Sequence, residues 1–219
     1  MRLLTSVAVL GVAALTARAE TPAKPIALFD GKTLDGWSLV ADPATPIAQV
    51  CHITPDATMA VGGTPAGYLL AEGHFSNYRL HVEWRWPAHA KKNSNSGILL
   101  HISSGPVYQK RWPVCLQVQM KLNHAGDLLP MGAFTFAEPL STAAGAATPQ
   151  RNMQRPPSEK PLGEWDTCDV VCRDGTIECT VNGVFQNKVT GCQPASGQIG
   201  LQLEGTPYEL RHVTVTPLD

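Results

Sequence analysis

Apolar and polar residues alternate with a period of two through most of the chain, the pattern of strands that bury one face. Between Tyr78 and Trp86, Leu80, Val82, Trp84 and Trp86 fall on one side, and Arg79, His81, Glu83 and Arg85 on the other. From Gly97 to Ser103, Ile98, Leu100 and Ile102 alternate with Leu99, His101 and Ser103. From Cys115 to Lys121, Leu116, Val118 and Met120 alternate with Cys115, Gln117, Gln119 and Lys121. Asp169–Cys172, Thr176–Val181 and Val184–Val189 read as consecutive strands joined by Asp174-Gly175 and Asn182-Gly183, the strongest short hairpin signals. Gln198–Glu204 sets Ile199, Leu201 and Leu203 against Gln198, Gly200, Gln202 and Glu204, and Glu209–Val215 forms a last strand. Helix-period patterns are nearly absent after residue 20. Many short strands with frequent Gly and Pro turns predict an all-β sandwich or barrel.

Composition agrees with one globular unit. The chain has 219 residues, 43% hydrophobic and only 16% charged. All-β sandwiches reach roughly 200–250 residues as single domains, so residues 26–218 are assigned to one domain. Near-neutral charge without a basic run excludes a nucleic-acid partner and electrostatic docking on an anionic membrane. Pro139–Pro157, rich in Ala, Thr, Pro and Gln, reads as a long surface loop, either functional or a tolerated insertion.

The N-terminus carries a different signal. Met1-Arg2 precedes an apolar run from Leu3 to Leu15, followed by Ala17-Arg18-Ala19. A positive start, a short apolar stretch and an A-x-A site make residues 1–19 a signal peptide cleaved after Ala19. The run is shorter than the about 20 apolar residues that span a bilayer, so no membrane insertion is expected. Cleavage removes two of the 17 basic residues and no acidic one, moving the net charge from −1 to −3. The expected location is the periplasm or the exterior. The six cysteines all follow the cleavage site, so disulfides are permitted, with pairing open. No C-x-x-C pair supports a zinc site.

If the apolar sets face the core, the opposite faces of four strands carry Glu83 and Arg85, His101, Gln117 and Gln119, and Gln202 and Glu204. Carboxylates, planar amides, a guanidinium and an imidazole can bind vicinal hydroxyls and move protons. Were these strands neighbours, the set would form a ligand-binding face; a merely solvated face is the alternative. Trp112 is placed to stack on a sugar or to cover the core end. His124 and Asp127, in a Gly-containing loop, are candidate acid/base groups or metal ligands.

These segments together resemble the 3-keto-disaccharide hydrolase family of exported bacterial proteins. The resemblance rests on Leu28-Phe29-Asp30-Gly31-Lys32-Thr33-Leu34-Asp35-Gly36-Trp37, Tyr78–Arg85, Asn95-Ser96-Gly97-Ile98-Leu99-Leu100-His101, Gln117-Val118-Gln119 with Gly126-Asp127, Pro161–Trp165, Val181–Val184 and Gly200–Gly205. It implies a concanavalin A-like jelly-roll β-sandwich and cleavage of glycosides oxidised at C3. One departure matters: the family usually has Glu-Val-Gln where this chain has Gln117-Val118-Gln119, and a glutamine cannot act as a base.

The implied chemistry starts from the ketone, which acidifies the C2 proton. A base removes it, the C1 oxygen leaves by β-elimination, and water adds back. This needs a base, donors for the enolate oxygen and an acid at the leaving oxygen. Glu83, His101 and Glu204 are assigned the acid/base work, and Arg85, Gln117, Gln119, Gln202, Trp112, His124 and Asp127 the binding of the carbohydrate. No cofactor is required; a divalent cation is allowed as electrophile but demanded by no spacing. A non-catalytic, lectin-like module is the alternative. A retaining glucanase ranks third, because its two carboxylates stand about 5–5.5 Å apart and no E-x-D or E-x-E pair occurs in a predicted strand. Oligomeric state is not legible.

Overall fold

The alternating segments assemble into two antiparallel sheets packed face to face, in a computed structural model that describes residues 23–219. The segment expected to be a signal peptide lies outside the described residues. In chain order the strands are β1 (Ile26–Ala27), β2 (Trp37–Ala41), β3 (Cys51–Ile53), β4 (Met59–Val61), β5 (Gly67–Ala71), β6 (Tyr78–Arg85), β7 (Gly97–Tyr108), β8 (Trp112–Gln119), β9 (Leu128–Met131), β10 (Asp166–Arg173), β11 (Thr176–Val181), β12 (Val184–Val189), β13 (Gln198–Leu203) and β14 (Tyr208–Pro217). One sheet runs β12-β11-β10-β6-β14-β4-β3, with β1 also on β14; the other runs β2-β5-β13-β7-β8-β9. The fold is a jelly-roll β-sandwich, as the sequence predicts.

The core lies between the sheets and is built from the predicted apolar sets. Leu80, Val82 and Trp84 of β6 meet Leu116 and Val118 of β8 and Ile199, Leu201 and Leu203 of β13 in one buried cluster. Both predicted hairpin turns form. Asp174 and Gly175, like Asn182 and Gly183, take left-handed φ of 49° and 71°, and 47° and 78°, the geometry that matches the right-handed twist of strands. Asn182 also accepts from Thr167 N at 2.9 Å and donates to Asp166 Oδ1 at 2.6 Å, tying the turn to β10.

The opening motif is a structural clasp. Asp30 Oδ1 accepts from the backbone of Lys32 and Thr33, at 2.7 and 2.9 Å, and Trp37 Nε1 donates to Leu28 O at 2.6 Å. The six cysteines are buried free thiols rather than disulfides. Burial pushes the Cys51, Cys172 and Cys192 thiols up to about 12, so they behave as small core residues.

Two sequence expectations about strand faces are corrected. Strand β6 lies in the eight-stranded sheet, so Glu83 and Arg85 sit on the side of the sandwich opposite β7, β8 and β13. The alternation in β7 also breaks at His101. Between the pairs Gln198↔Ile102 and Gly200↔Leu99, β7 has one residue more than β13, a β-bulge, and His101 takes a left-handed φ of 54°. The bulge moves Ile102 to the outer cluster with Leu99 and turns His101 to pack on Tyr78 of the other sheet, ring centroids 5.8 Å apart. Gly197 permits this, because a Cβ there would overlap the His101 backbone.

Candidate functional site

The outer face of the six-stranded sheet holds a cleft of about 290 Å³. Adjacent strands β13, β7 and β8 supply its floor. Gln117 and Gln119 project from β8 and Gln202 from β13, with Glu204 just beyond the end of β13. The three amides form a chain: Gln117 Nε2 donates to Gln119 Oε1 at 2.9 Å and to Gln202 Oε1 at 3.2 Å. Gln119 Oε1 also accepts from the Met120 and Lys121 backbone, at 3.2 and 3.3 Å. Gln119 and Gln202 accept with their oxygens, which leaves their NH₂ groups as donors, that of Gln202 beside Glu204.

Glu204 is held by Asn95, whose Nδ2 donates to its Oε2 at 2.6 Å. Burial raises the Glu204 carboxyl above its ordinary value; the charges of Arg111 and Lys121 and a contact from Gln202 act against it. A carboxyl raised in this way suits proton transfer.

Across the cleft, the loop after β8 carries a His–Asp pair. His124 Nδ1 lies 3.0 Å from Asp127 Oδ2. The Asp127 side chain is 2% exposed and that of His124 46%. Asp127 also accepts from Gln150 Nε2 at 2.7 Å and Met153 N at 2.6 Å. Locked by three donors, the carboxylate orients the imidazole and leaves Nε2 towards solvent and cleft, as a base or acid requires. The loop over Pro139–Pro157 is therefore part of the site. Its Thr148 and Gln150 line the cleft, and it is fastened to the hairpin of β7 and β8 by Tyr108, whose hydroxyl donates to Ala147 O at 2.8 Å.

Of the residues assigned from sequence, Gln117, Gln119, Gln202, Glu204, Trp112, His124 and Asp127 all line this cleft. Trp112 starts β8 rather than sitting in a loop, and is buried in the outer cluster with Tyr68 and Met131, forming wall rather than a free stacking plate. His101, Glu83 and Arg85 are elsewhere. His101 is buried, with Nδ1 3.2 Å from Pro194 O. Burial, outweighing the Pro194 contact and helped by His74, lowers its pKa to about 4. Glu83 sits in an ionic cluster, 2.6 Å from Arg211 Nε and 2.8 Å from His212 Nδ1. Burial works to raise its carboxyl, but His212, Arg211 and His81 together hold it down to about 2. Arg85 pairs with Glu209 at 2.7 Å and lies over Trp165, 4.7 Å from the ring centroid. Asn95, Tyr108 and Gln150 were assigned no role from sequence because they lie outside the alternating stretches; Lys121 falls on the polar side of one but was not assigned to the site.

Among the described residues, no group of three or more His, Cys, Asp or Glu side chains is placed to hold a metal ion.

Fold and cleft together define a jelly-roll sandwich with a polar site on the outer face of one sheet. The chain belongs to the family described as the 3-keto-alpha-glucoside-1,2-lyase-like domain, whose profile matches residues 24–216. A candidate glycosyl hydrolase from Parabacteroides distasonis has 17% identity and a TM-score of 0.61, covering 89% of this chain and 94% of its own. The carbohydrate binding module CBM66 from Bacillus subtilis has 9% identity and a TM-score of 0.57, covering 83% and 95%. SCLam, a non-specific endo-beta-1,3(4)-glucanase of family GH16, has 11% identity and a TM-score of 0.58, covering 89% and 90%. At such identities these likenesses concern the fold. No curated protein sequence matches the chain significantly. Family membership classes this chain with carbohydrate-active proteins.

Proposed function

We propose that the chain is an exported protein that cleaves 3-keto-glycosides in the cleft of the six-stranded sheet, with Glu204 and His124 sharing the acid/base work. The observation that carries this reading is the convergence of Glu204, the His124–Asp127 pair and three linked glutamines on one cleft, in a member of this family. One of the pair takes the C2 proton, and the C–H electrons pass into an enolate at C3. The ketone re-forms as a C1=C2 double bond develops and the C1–O bond breaks. The departing oxygen takes a proton from the other group, and water then adds at C1 while C2 regains a proton. The NH₂ groups of Gln119 and Gln202 are suited to the enolate oxygen.

The test is a paired assay with one disaccharide, native and oxidised at C3. Release of the leaving sugar from the oxidised form alone supports the reading, because an unactivated C2 proton is too weakly acidic for a carboxylate or imidazole. Equal cleavage of both forms would indicate ordinary glycosidase chemistry.

A second reading, a lectin-like module, is favoured by Gln117. It stands where the resemblance implies a carboxylate, and its amide is committed to Gln119 and Gln202. Tight binding of the oxidised disaccharide without cleavage would establish that reading. Export is tested by N-terminal sequencing of secreted material, which should begin at Glu20.

A further inference from the structure

A second cavity, of about 250 Å³, lies on the far side of the β7–β8 turn. Val40 and Gly67 lie on one side of it, and Gln109, Lys110 and Arg111 of the turn on the other. It continues the main cleft. Gln109 lines both cavities, and Val40 packs on the same outer apolar cluster that contains Trp112 and Met131 of the main cleft. The outer face of the sheet thus carries one groove, divided by the turn.

That turn is costly as a turn. Arg111 N donates to Tyr108 O at 3.1 Å, and both central residues, Gln109 and Lys110, take left-handed φ of 52° and 57°. Asn-Gly is the inexpensive choice for such a turn, as at Asn182-Gly183. Long polar side chains here cost of order 1–2 kcal/mol per residue; Gln109 lines both cavities and Lys110 the second.

The charges along the groove are uneven. Lys110, Arg111 and Lys121 have no carboxylate within ion-pair distance among the described residues. Asp127 and Glu204 line the main cleft and not the second cavity. Arg111 and Lys121 act on Glu204 of the main cleft, whereas within the lining of the second cavity two cations, Lys110 and Arg111, face one carboxylate, Asp42. In a chain of nearly balanced charge, this leaves a local positive field in a concave site, which selects anions.

We propose that the second cavity is a subsite for an anionic sugar residue, a carboxylated or sulfated one, gripped by Arg111 and Lys110 while the main cleft holds its neighbour. The proposal rests on the reading that the main cleft binds carbohydrate. Arg111 presents the planar fork that matches a carboxylate or sulfate edge, and Lys110 adds a flexible point charge.

The experiment is calorimetric titration with three disaccharides, unoxidised at C3 so that they are not consumed. They are a neutral glucose disaccharide, the same with its outer residue oxidised at C6 to the uronate, and the same sulfated at O6. Exposed charge pairs are individually modest, so a preference of about fivefold for an anionic form is expected in low salt. It should vanish in the double variant Lys110→Gln/Arg111→Gln and fade in about 0.3 M salt. Preference for the uronate alone assigns a carboxylate ligand; equal preference for the sulfated form assigns anions generally. Equal affinity for all three, or a preference that survives the double substitution, overturns the subsite and leaves the carbohydrate reading standing. No binding of any of the three overturns this proposal, and the carbohydrate reading is then decided separately by the paired assay with the C3-oxidised disaccharide.

Discussion

Asn95 and Glu204 stand 109 positions apart in sequence, yet Asn95 Nδ2 donates to Glu204 Oε2 at 2.6 Å. The bond fixes the carboxyl in the cleft and favours its ionised form, opposing the burial that raises it. Asn95→Ala should lower kcat by about tenfold with a smaller change in KM, the mark of a positioning residue rather than a binding one. It should also move the acidic limb of the pH–rate profile upward, because the carboxylate loses a donor. An unchanged limb would mean the bond does not tune Glu204.

His124 is the more exposed member of its pair, so removing it should spare the fold. His124→Gln is expected to slow cleavage of the C3-oxidised disaccharide by about 10²–10⁴-fold, the usual cost of a lost general acid or base. Melting temperature should stay within a few degrees of the parent. A rate loss under about threefold would take His124 out of the mechanism.

Gly97 pairs with Gln119 across the β7–β8 ladder, and a Cβ at Gly97 would lie 2.5 Å from Nε2 of its diagonal neighbour Gln117. Gly97→Ala must therefore displace the amide that links Gln119 and Gln202. Overpacking of this kind costs about 1–3 kcal/mol. The expected outcome is weaker sugar binding together with modest destabilisation, read by titration and thermal melting. Binding at parental affinity would show that the amide chain is dispensable.

Two groups outside the cleft should govern acid stability. The His101 pKa is lowered to about 4, so between its ordinary value near 6.5 and about 4 the unfolded chain binds the proton and the folded chain does not. Stability is therefore present above pH 6.5 and falls as pH drops towards 4. Glu83, held down to about 2, contributes stability above about 4.5 that is lost as pH falls through 2. His101→Asn, which keeps a residue tolerant of left-handed φ, should flatten the first segment of a denaturant-derived stability curve. Glu83→Gln should flatten the second.

The same substitution separates structure from chemistry. Glu83→Gln breaks contacts to Arg211 and His212 and should lower the melting temperature by a few degrees. The cleavage rate should change by less than about twofold, since β6 belongs to the other sheet. A fall of a hundredfold would return Glu83 to the catalytic assignment.

Local pattern determined most of the strands, both Asx-Gly hairpins and the partition of β8 and β13 into core and cleft faces, because strand side chains alternate with a period that depends only on the backbone. That is why Gln117, Gln119, Gln202 and Glu204 were legible together. The short strands β1 to β5 and β9 carry too few residues for a period to register, and only pairing across the sheets shows them. Tertiary structure alone decided that β6 joins the other sheet, which separates Glu83 and Arg85 from the cleft: alternation says which residues share a face of a strand, not which strands share a sheet. It also decided the fate of His101, since one extra residue opposite β13 turns His101 inward and Ile102 outward, and no composition signal marks that insertion. The partners Asn95 and Gln150 received no role from sequence for a related reason. They lie in loops, where position follows from what the chain is fastened to rather than from a period.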